Sequence, residues 1–327
     1  MLKYIMRYCC ILLGIGIVFF TISSLNCNVK ERYPSMTDID FDMEQVENEA
    51  YLSDVKKDTI VYRDDGTNEE LFSDCFFALF LNETDHEVYA AKNAHMRMYP
   101  ASMTKYMTAI VVCDKLEAGE ISLDDMVTVT QNYNLASYYD VAPSVLTVGD
   151  KISVKDLLYG LMLESNNYFA LMLAEYVAGD TASFCELMNQ KAYSIGATNT
   201  HFMNPHGLDD TNHYSTAYDI YLITKEAYDH DIIRNIDTMS EYTYTYYDMN
   251  NIPVYVDISA TNMFVNGKAN LPANYHIEVW KTGTTTGAGN CLSMYLTKDG
   301  KDYFVVASSG VSKNVLYDAL VRLLCLI

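Results

Sequence analysis

Residues 277–307 read IEVWKTGTTTGAGNCLSMYLTKDGKDYFVVA, and their pattern sets the architecture. The apolar runs Ile277–Lys281, Leu292–Thr297 and Asp302–Ala307 predict three strands. Asp299-Gly300, between the last two, is a hairpin signal, because both residues tolerate positive φ. Toward the front of the chain, Phe76–Leu81 and Glu87–Ala91 predict two more strands around a turn at Asn82–Asp85. The middle is helical in period. Met103, Met107, Ile110 and Val111 mark one helix, which ends at Gly119. Ser153 with Asp156 starts a second, which breaks near Glu164–Asn167 before a third continues to Ala178. Further helices span Thr181–Ile195, begin near Ser215 or Thr216, and close the chain from Ser312, while Tyr242, Tyr244 and Tyr246 alternate like a strand. Strands at both ends of a helical middle predict one α/β lobe, from 73–100 and 256–327, with an all-helical lobe, 101–255, inserted into it. A cleft between the lobes is where a site is expected.

Charge excludes one class of function. The 327 residues carry 22 Lys+Arg against 43 Asp+Glu, a net −21, and nucleic-acid binding needs the opposite sign. Tyr8–Leu25 is an uncharged run of 18 residues preceded by Lys3 and Arg7, so residues 1–27 are expected to be a signal peptide or an N-terminal membrane anchor. Ser24-Leu25-Asn26-Cys27 has the outline of a lipoprotein box, with Ser24 where Leu is usual. Residues 28–72 are an acidic tether: 28–75 hold 14 Asp/Glu against 5 Lys/Arg, a run that repels itself and stays extended. The eight cysteines include no C-x-x-C, which leaves buried free thiols as the default.

Three short motifs bear on chemistry. Ser102-Met103-Thr104-Lys105, after Pro100-Ala101, puts a serine and a lysine one turn apart on one face of a helix. A Ser-x-x-Lys is weak alone, and Ser53-Asp54-Val55-Lys56 in the tether matches too. Ser165-Asn166-Asn167 falls at the break between two helices, where an ordinary polar connection would read the same. Lys281-Thr282-Gly283 ends a strand and occurs once. A serine hydroxyl needs a base to take its proton, and Lys105 can act only when neutral. At an unperturbed pKa, about one lysine in 2,500 is neutral at pH 7. Burial and a second cation, Lys281, would both depress that value.

The order Ser-x-x-Lys, Ser-x-Asn, Lys-Thr-Gly is the motif set of serine penicillin-binding proteins and β-lactamases. Residues 73–327 resemble the low-molecular-mass D-alanyl-D-alanine carboxypeptidases among them. The resemblance adds Met107-Thr108-Ala109, Leu157-Leu158-Tyr159-Gly160, Met188-Asn189, Asn204-Pro205-His206-Gly207-Leu208, Ser215-Thr216-Ala217, Thr261-Asn262 and Ala288-Gly289. Tyr168 stands where the family usually has Asp, and Val279-Trp280 where Gly often precedes the Lys-Thr-Gly strand. The family's C-terminal β-rich domain and amphipathic anchor are not found, so the N-terminal segment is expected to take over anchoring.

The resemblance implies a β-lactamase/transpeptidase-like fold, an antiparallel sheet flanked by helices. It implies a serine DD-carboxypeptidase that removes the terminal D-alanine from peptidoglycan stem peptides through an acyl-enzyme, with β-lactams as covalent inhibitors. Ser102 would be the nucleophile, Lys105 its base and Ser165 the proton relay to the leaving amine. Asn167 would hold the substrate amide, and Lys281, Thr282, Gly283 and Thr284 would bind the terminal carboxylate end. The N–H groups of Ser102 and Thr284 would form the oxyanion hole. No cofactor or metal is implied, and His206 and His213 read as structural. The expected location is the extracytoplasmic face of a bacterial membrane. A DD-endopeptidase is chemically adjacent, and a non-catalytic sensor would have no need of the whole residue set. A class A β-lactamase would need a Glu-x-x-x-Asn loop, and Glu186-Leu187-Met188-Asn189 is one residue short and in a predicted helix.

Overall fold

The computed structural model describes residues 74–135 and 144–327. The apolar segment, the tether and the second Ser-x-x-Lys at Ser53 lie outside those residues. Among the described residues no helix is long and apolar enough to cross a membrane.

Five strands form the principal sheet: β1 (Ala78–Asn82), β2 (Glu87–Lys92), β7 (Tyr275–Thr285), β8 (Gly289–Lys298) and β9 (Lys301–Ser309). Their order is β2-β1-β9-β8-β7, antiparallel throughout, so both ends of the chain build one sheet. Ala78 pairs with Ala307 and Leu79 with Val306, which seats the front hairpin against the last strand. Every residue of β1 is buried, because helices cover both faces of the sheet. The hairpin at Asp299-Gly300 has φ of 51° and 78°, the left-handed pair that a tight two-residue turn requires.

Among the described residues seven α-helices accompany the sheet: α1 (Thr104–Glu117), α2 (Val154–Leu163), α3 (Asn167–Ala178), α4 (Thr181–Ser194), α5 (Ala217–Asp229), α6 (Asp231–Asp237) and α7 (Lys313–Leu324). Their starts follow local chemistry. Ser153, Asn166, Asp180, Thr216 and Ser312 each accept a backbone N–H of the first turn through the side chain. Helix α7 packs on β8 and β9, while α5 packs on β7, β8 and β9.

The fold class is the expected one, but the insert is not helical throughout. It carries most of a second antiparallel sheet of β3 (Met126–Thr128), β4 (Lys151–Ser153), β5 (Glu241–Tyr247) and β6 (Pro253–Ser259), in the order β3-β4-β5-β6, with the last strand running past residue 255. The tyrosine alternation belongs to β5: Tyr244 is buried edge-on against Phe169, and Tyr242 stacks on Tyr159 and donates to Asp156. Three-residue strands such as β3 and β4 are too short for periodicity to register, whereas β6, seven residues long, pairs with β5 along its whole length. Cys75, Cys113, Cys185 and Cys291 are buried free thiols, and Cys325 is exposed.

Candidate active site

The site begins at a strained turn. Ala101–Met103 form one 3₁₀ turn leading into α1, with Ala101 at φ 48°. Two glycines allow the chain to crowd this turn. A Cβ on Gly207, itself at φ 87°, would lie 1.9 Å from the Ala101 carbonyl oxygen. One on Gly283 would lie 2.9 Å from Ala101 Cβ and 3.1 Å from Ser102 N. The glycine of the third motif is thus what lets β7 pass directly over the serine of the first.

Ser102 and Lys105 are three residues apart, and Lys105 Nζ donates to Ser102 Oγ at 2.8 Å. The same Nζ donates to Asn167 Oδ1 at 2.7 Å and to the His206 carbonyl at 2.6 Å. Lys105 is fully buried, and burial, followed by the nearby Lys281, holds its ammonium well below the usual lysine range. Three acceptors around one Nζ match the three N–H bonds of an ammonium. In the neutral amine two N–H bonds remain, for Asn167 and His206, and the lone pair turns toward the Ser102 hydroxyl. The cage therefore serves both protonation states.

Lys281 is also fully buried, on β7, with its pKa brought down to about 7 by burial while Asp237 pulls it the other way. Its Nζ donates to the Thr282 carbonyl at 3.2 Å. Thr282 and Thr261 share a hydroxyl hydrogen bond of 2.6 Å, and Thr284 Oγ1 donates to Asn290 Oδ1 at 3.4 Å. Ser165 sits between α2 and α3 at φ 66°, and its Oγ is buried without a hydrogen-bond partner among the described residues. An orphaned hydroxyl on a left-handed residue is costly, and such costs concentrate at functional sites. Asn166 caps α3, which leaves Asn167 in the first turn, facing Lys105.

The fold thus brings Asn167 into hydrogen-bond contact with Lys105, sets Gly283 against the Ser102 turn, and puts Lys281 within electrostatic reach of Lys105. His213 is structural: one ring nitrogen accepts from the Met203 N–H and the other bonds Thr104 Oγ1, and burial takes its pKa down to about 3. Glu186 is exposed on α4, and Asn189 pairs with the backbone of Phe202.

Two positions had no signal in the sequence. Asp237, buried at the end of α6, accepts the Trp280 N–H at Oδ2 (2.8 Å), and its carbonyl accepts the Trp280 indole N–H (2.7 Å). Burial pushes its carboxyl well above the usual range. Asp209 accepts from Thr285 Oγ1 at 2.6 Å and from the Gly287 N–H at 2.9 Å, pinning the loop beyond the Lys-Thr-Gly strand. No motif spacing links 237 to 280 or 209 to 285; only tertiary contact does.

Comparison with known proteins agrees with this geometry. The family described as D-alanyl-D-alanine carboxypeptidase, peptidase S11, matches residues 74–309. The D-alanyl-D-alanine carboxypeptidase DacC of Escherichia coli is 32% identical over 249 residues, 75% of this chain and 59% of that protein. DacF of Bacillus subtilis, with the same description, is 30% identical over 233 residues, 71% of this chain and 56% of its own length. The chain therefore spans somewhat over half the length of these curated relatives. Among solved structures, the Streptomyces K15 DD-transpeptidase superposes with a TM-score of 0.69 at 26% identity, covering 77% of this chain and 96% of that one. With its fold, its three motifs and a match across 74–309, the chain belongs to the D-alanyl-D-alanine carboxypeptidase family.

Proposed function

We propose that the protein is a serine DD-carboxypeptidase that removes the terminal D-alanine from peptidoglycan stem peptides. The observation that carries this reading is the contact of a fully buried Lys105 amine with Ser102 Oγ at 2.8 Å. In the reactive state Lys105 is neutral and takes the Ser102 proton. Oγ then bonds to the carbonyl carbon of the penultimate D-alanine, and the N–H groups of Ser102 and Thr284 receive the negative oxygen, an arrangement typically worth several kcal/mol of barrier. The C–N bond breaks, the leaving amine takes a proton through Ser165, and D-alanine departs. Water then attacks the ester and restores Ser102. Asn167 holds the substrate amide while positioning Lys105. Protonated Lys281, with the Thr282 and Thr284 hydroxyls around Gly283, grips the terminal carboxylate.

β-Lactams would acylate the same serine. The net charge fits a peptidoglycan enzyme better than a nucleic-acid binder, and residues 1–72 would hold the catalytic portion, residues 73–327, off the outer face of a bacterial membrane. Mass spectrometry of products from a pentapeptide muropeptide tests the activity: loss of one D-alanine is expected, whereas cleavage of a cross-link instead would identify an endopeptidase. Fluorescent penicillin should label the protein, and Ser102→Ala should abolish the label; persistent labelling would refute the nucleophile.

A further inference from the structure

The C-terminal end of α1 holds a second cluster of reactive groups, about 13 Å along the helix from Lys105. Asp114 and Glu117, one turn apart on α1, face His230, the residue that joins α5 to α6. Donor atoms of the three side chains all lie within 4.8 Å of one another. His230 is only 5% exposed, and its Nδ1 lies 2.7 Å from Glu117 Oε1. A carboxylate only accepts, so Nδ1 donates to Glu117 and Nε2 is the ring nitrogen left to ligate. That Nε2 is buried, has no hydrogen-bond partner among the described residues, and points toward Asp114 Oδ1 at 3.8 Å.

At that separation Nε2 and Oδ1 are too far apart for a hydrogen bond. They are just inside the ~4.1 Å sum of two metal–ligand bonds, which a bent ligand–metal–ligand angle accommodates. The surrounding charge has the matching sign. Lys191 reaches Asp114 at both Oδ1 (3.2 Å) and Oδ2 (3.0 Å) and Glu226 at 2.8 Å, while Asp114 and Glu117 bring two carboxylates to His230. A histidine whose far nitrogen is held by a carboxylate is the usual second-shell arrangement of a metal ligand.

We propose that Asp114, Glu117 and His230 form a divalent-cation site, with Nε2 and Asp114 as inner ligands and Glu117 orienting the imidazole at the open side. The donor set of imidazole and carboxylate suits Zn²⁺ better than Ca²⁺ or Mg²⁺. The site lies outside the catalytic machinery. A cation there would staple the helix that carries Lys105 to the α5–α6 junction, and α6 in turn ends at Asp237 beside the Lys281 strand.

The test uses the full chain after chelator treatment, with Zn²⁺ and Co²⁺ as probes. Zn²⁺ at a hundredfold excess over Kd should raise Tm by about 5 °C or more, and Co²⁺ should give intense visible d–d bands from a low-coordinate site. His230→Gln and Asp114→Asn should abolish both responses, and Glu117→Gln should weaken affinity 10–100-fold. The metal-free variants should melt close to the parent and label normally with penicillin, which shows that they are folded. Responses unchanged in His230→Gln, as expected if the acidic residues 28–72 bind the metal, would overturn the site. So would the absence of any Tm shift or Co²⁺ band in the parent, which would leave His230 a buried side chain held by Glu117.

Discussion

Lys105 shows how much one side chain is asked to do. It is a lysine with no exposed surface, and its amine meets three acceptors: Ser102, Asn167 and His206. Such a group is neutralised more easily than it is removed. Lys105→Ala should slow acylation by penicillin about 10²–10⁴-fold, the usual range for a lost general base, with no fall in Tm. Stopped-flow labelling checks this, and a parental rate would mean that another base acts. The pH dependence follows from the two lysines. In the proposed mechanism Lys105 must lose its proton and Lys281 must keep one, and burial lowers both values. The acid limb of kcat/KM therefore reports Lys105 deprotonation, well below the usual lysine range. The alkaline limb reports Lys281 and is centred near 7, both limbs belonging to the coupled pair. A profile still rising above pH 9 would contradict this assignment.

At the scale of elements, the site exists because β7 is held in two places. Gly283 lets it press on the Ser102 turn, and Asp237 at the end of α6 grips the Trp280 peptide from the other side. Gly283→Ala must push Ser102 and β7 apart by several tenths of an ångström. The expected result is at least about a hundredfold loss in acylation rate, since small misplacements of reacting groups cost that much. Near-parental kinetics would show that the strand can shift freely. Asp237→Asn keeps an oxygen for the Trp280 N–H but removes the negative charge that supports Lys281 protonation. Its alkaline limb should move to lower pH with the acid limb in place, whereas Asp237→Ala should also lose about 1–3 kcal/mol of stability by orphaning a buried N–H. If both limbs stay put in the Asn variant, Asp237 acts through packing alone.

At the scale of the whole molecule, the two buried lysines are a stability cost. Lys281 titrates at about 7 in the folded chain against about 10.4 in an unfolded one. Between these values the unfolded state binds more protons, so stability rises with pH from about 7 to 10; below 7 the full cost is present. Lys281→Met removes a buried cation and should raise Tm by roughly 3 °C or more at pH 6, with the gain shrinking toward pH 10, while activity is lost. Melts of both proteins across that range decide it, and a lower Tm for Lys281→Met at pH 6 would show that the ammonium stabilises the fold.

The strands at both ends, the capped helices and the three motifs were legible in the sequence, because each rests on local chemistry: a period, a cap, a turn, a spacing of three. Tertiary structure alone decided that β4 pairs with the tyrosine strand and β3 with β4, since three-residue strands leave no periodic trace. It alone put the His206 carbonyl on Lys105, Asp237 on Trp280 and Asp209 on Thr285. Those contacts join positions 43 to 101 residues apart. No local propensity encodes them, because they arise only when the sheet closes from both ends of the chain and carries the third motif back over the first.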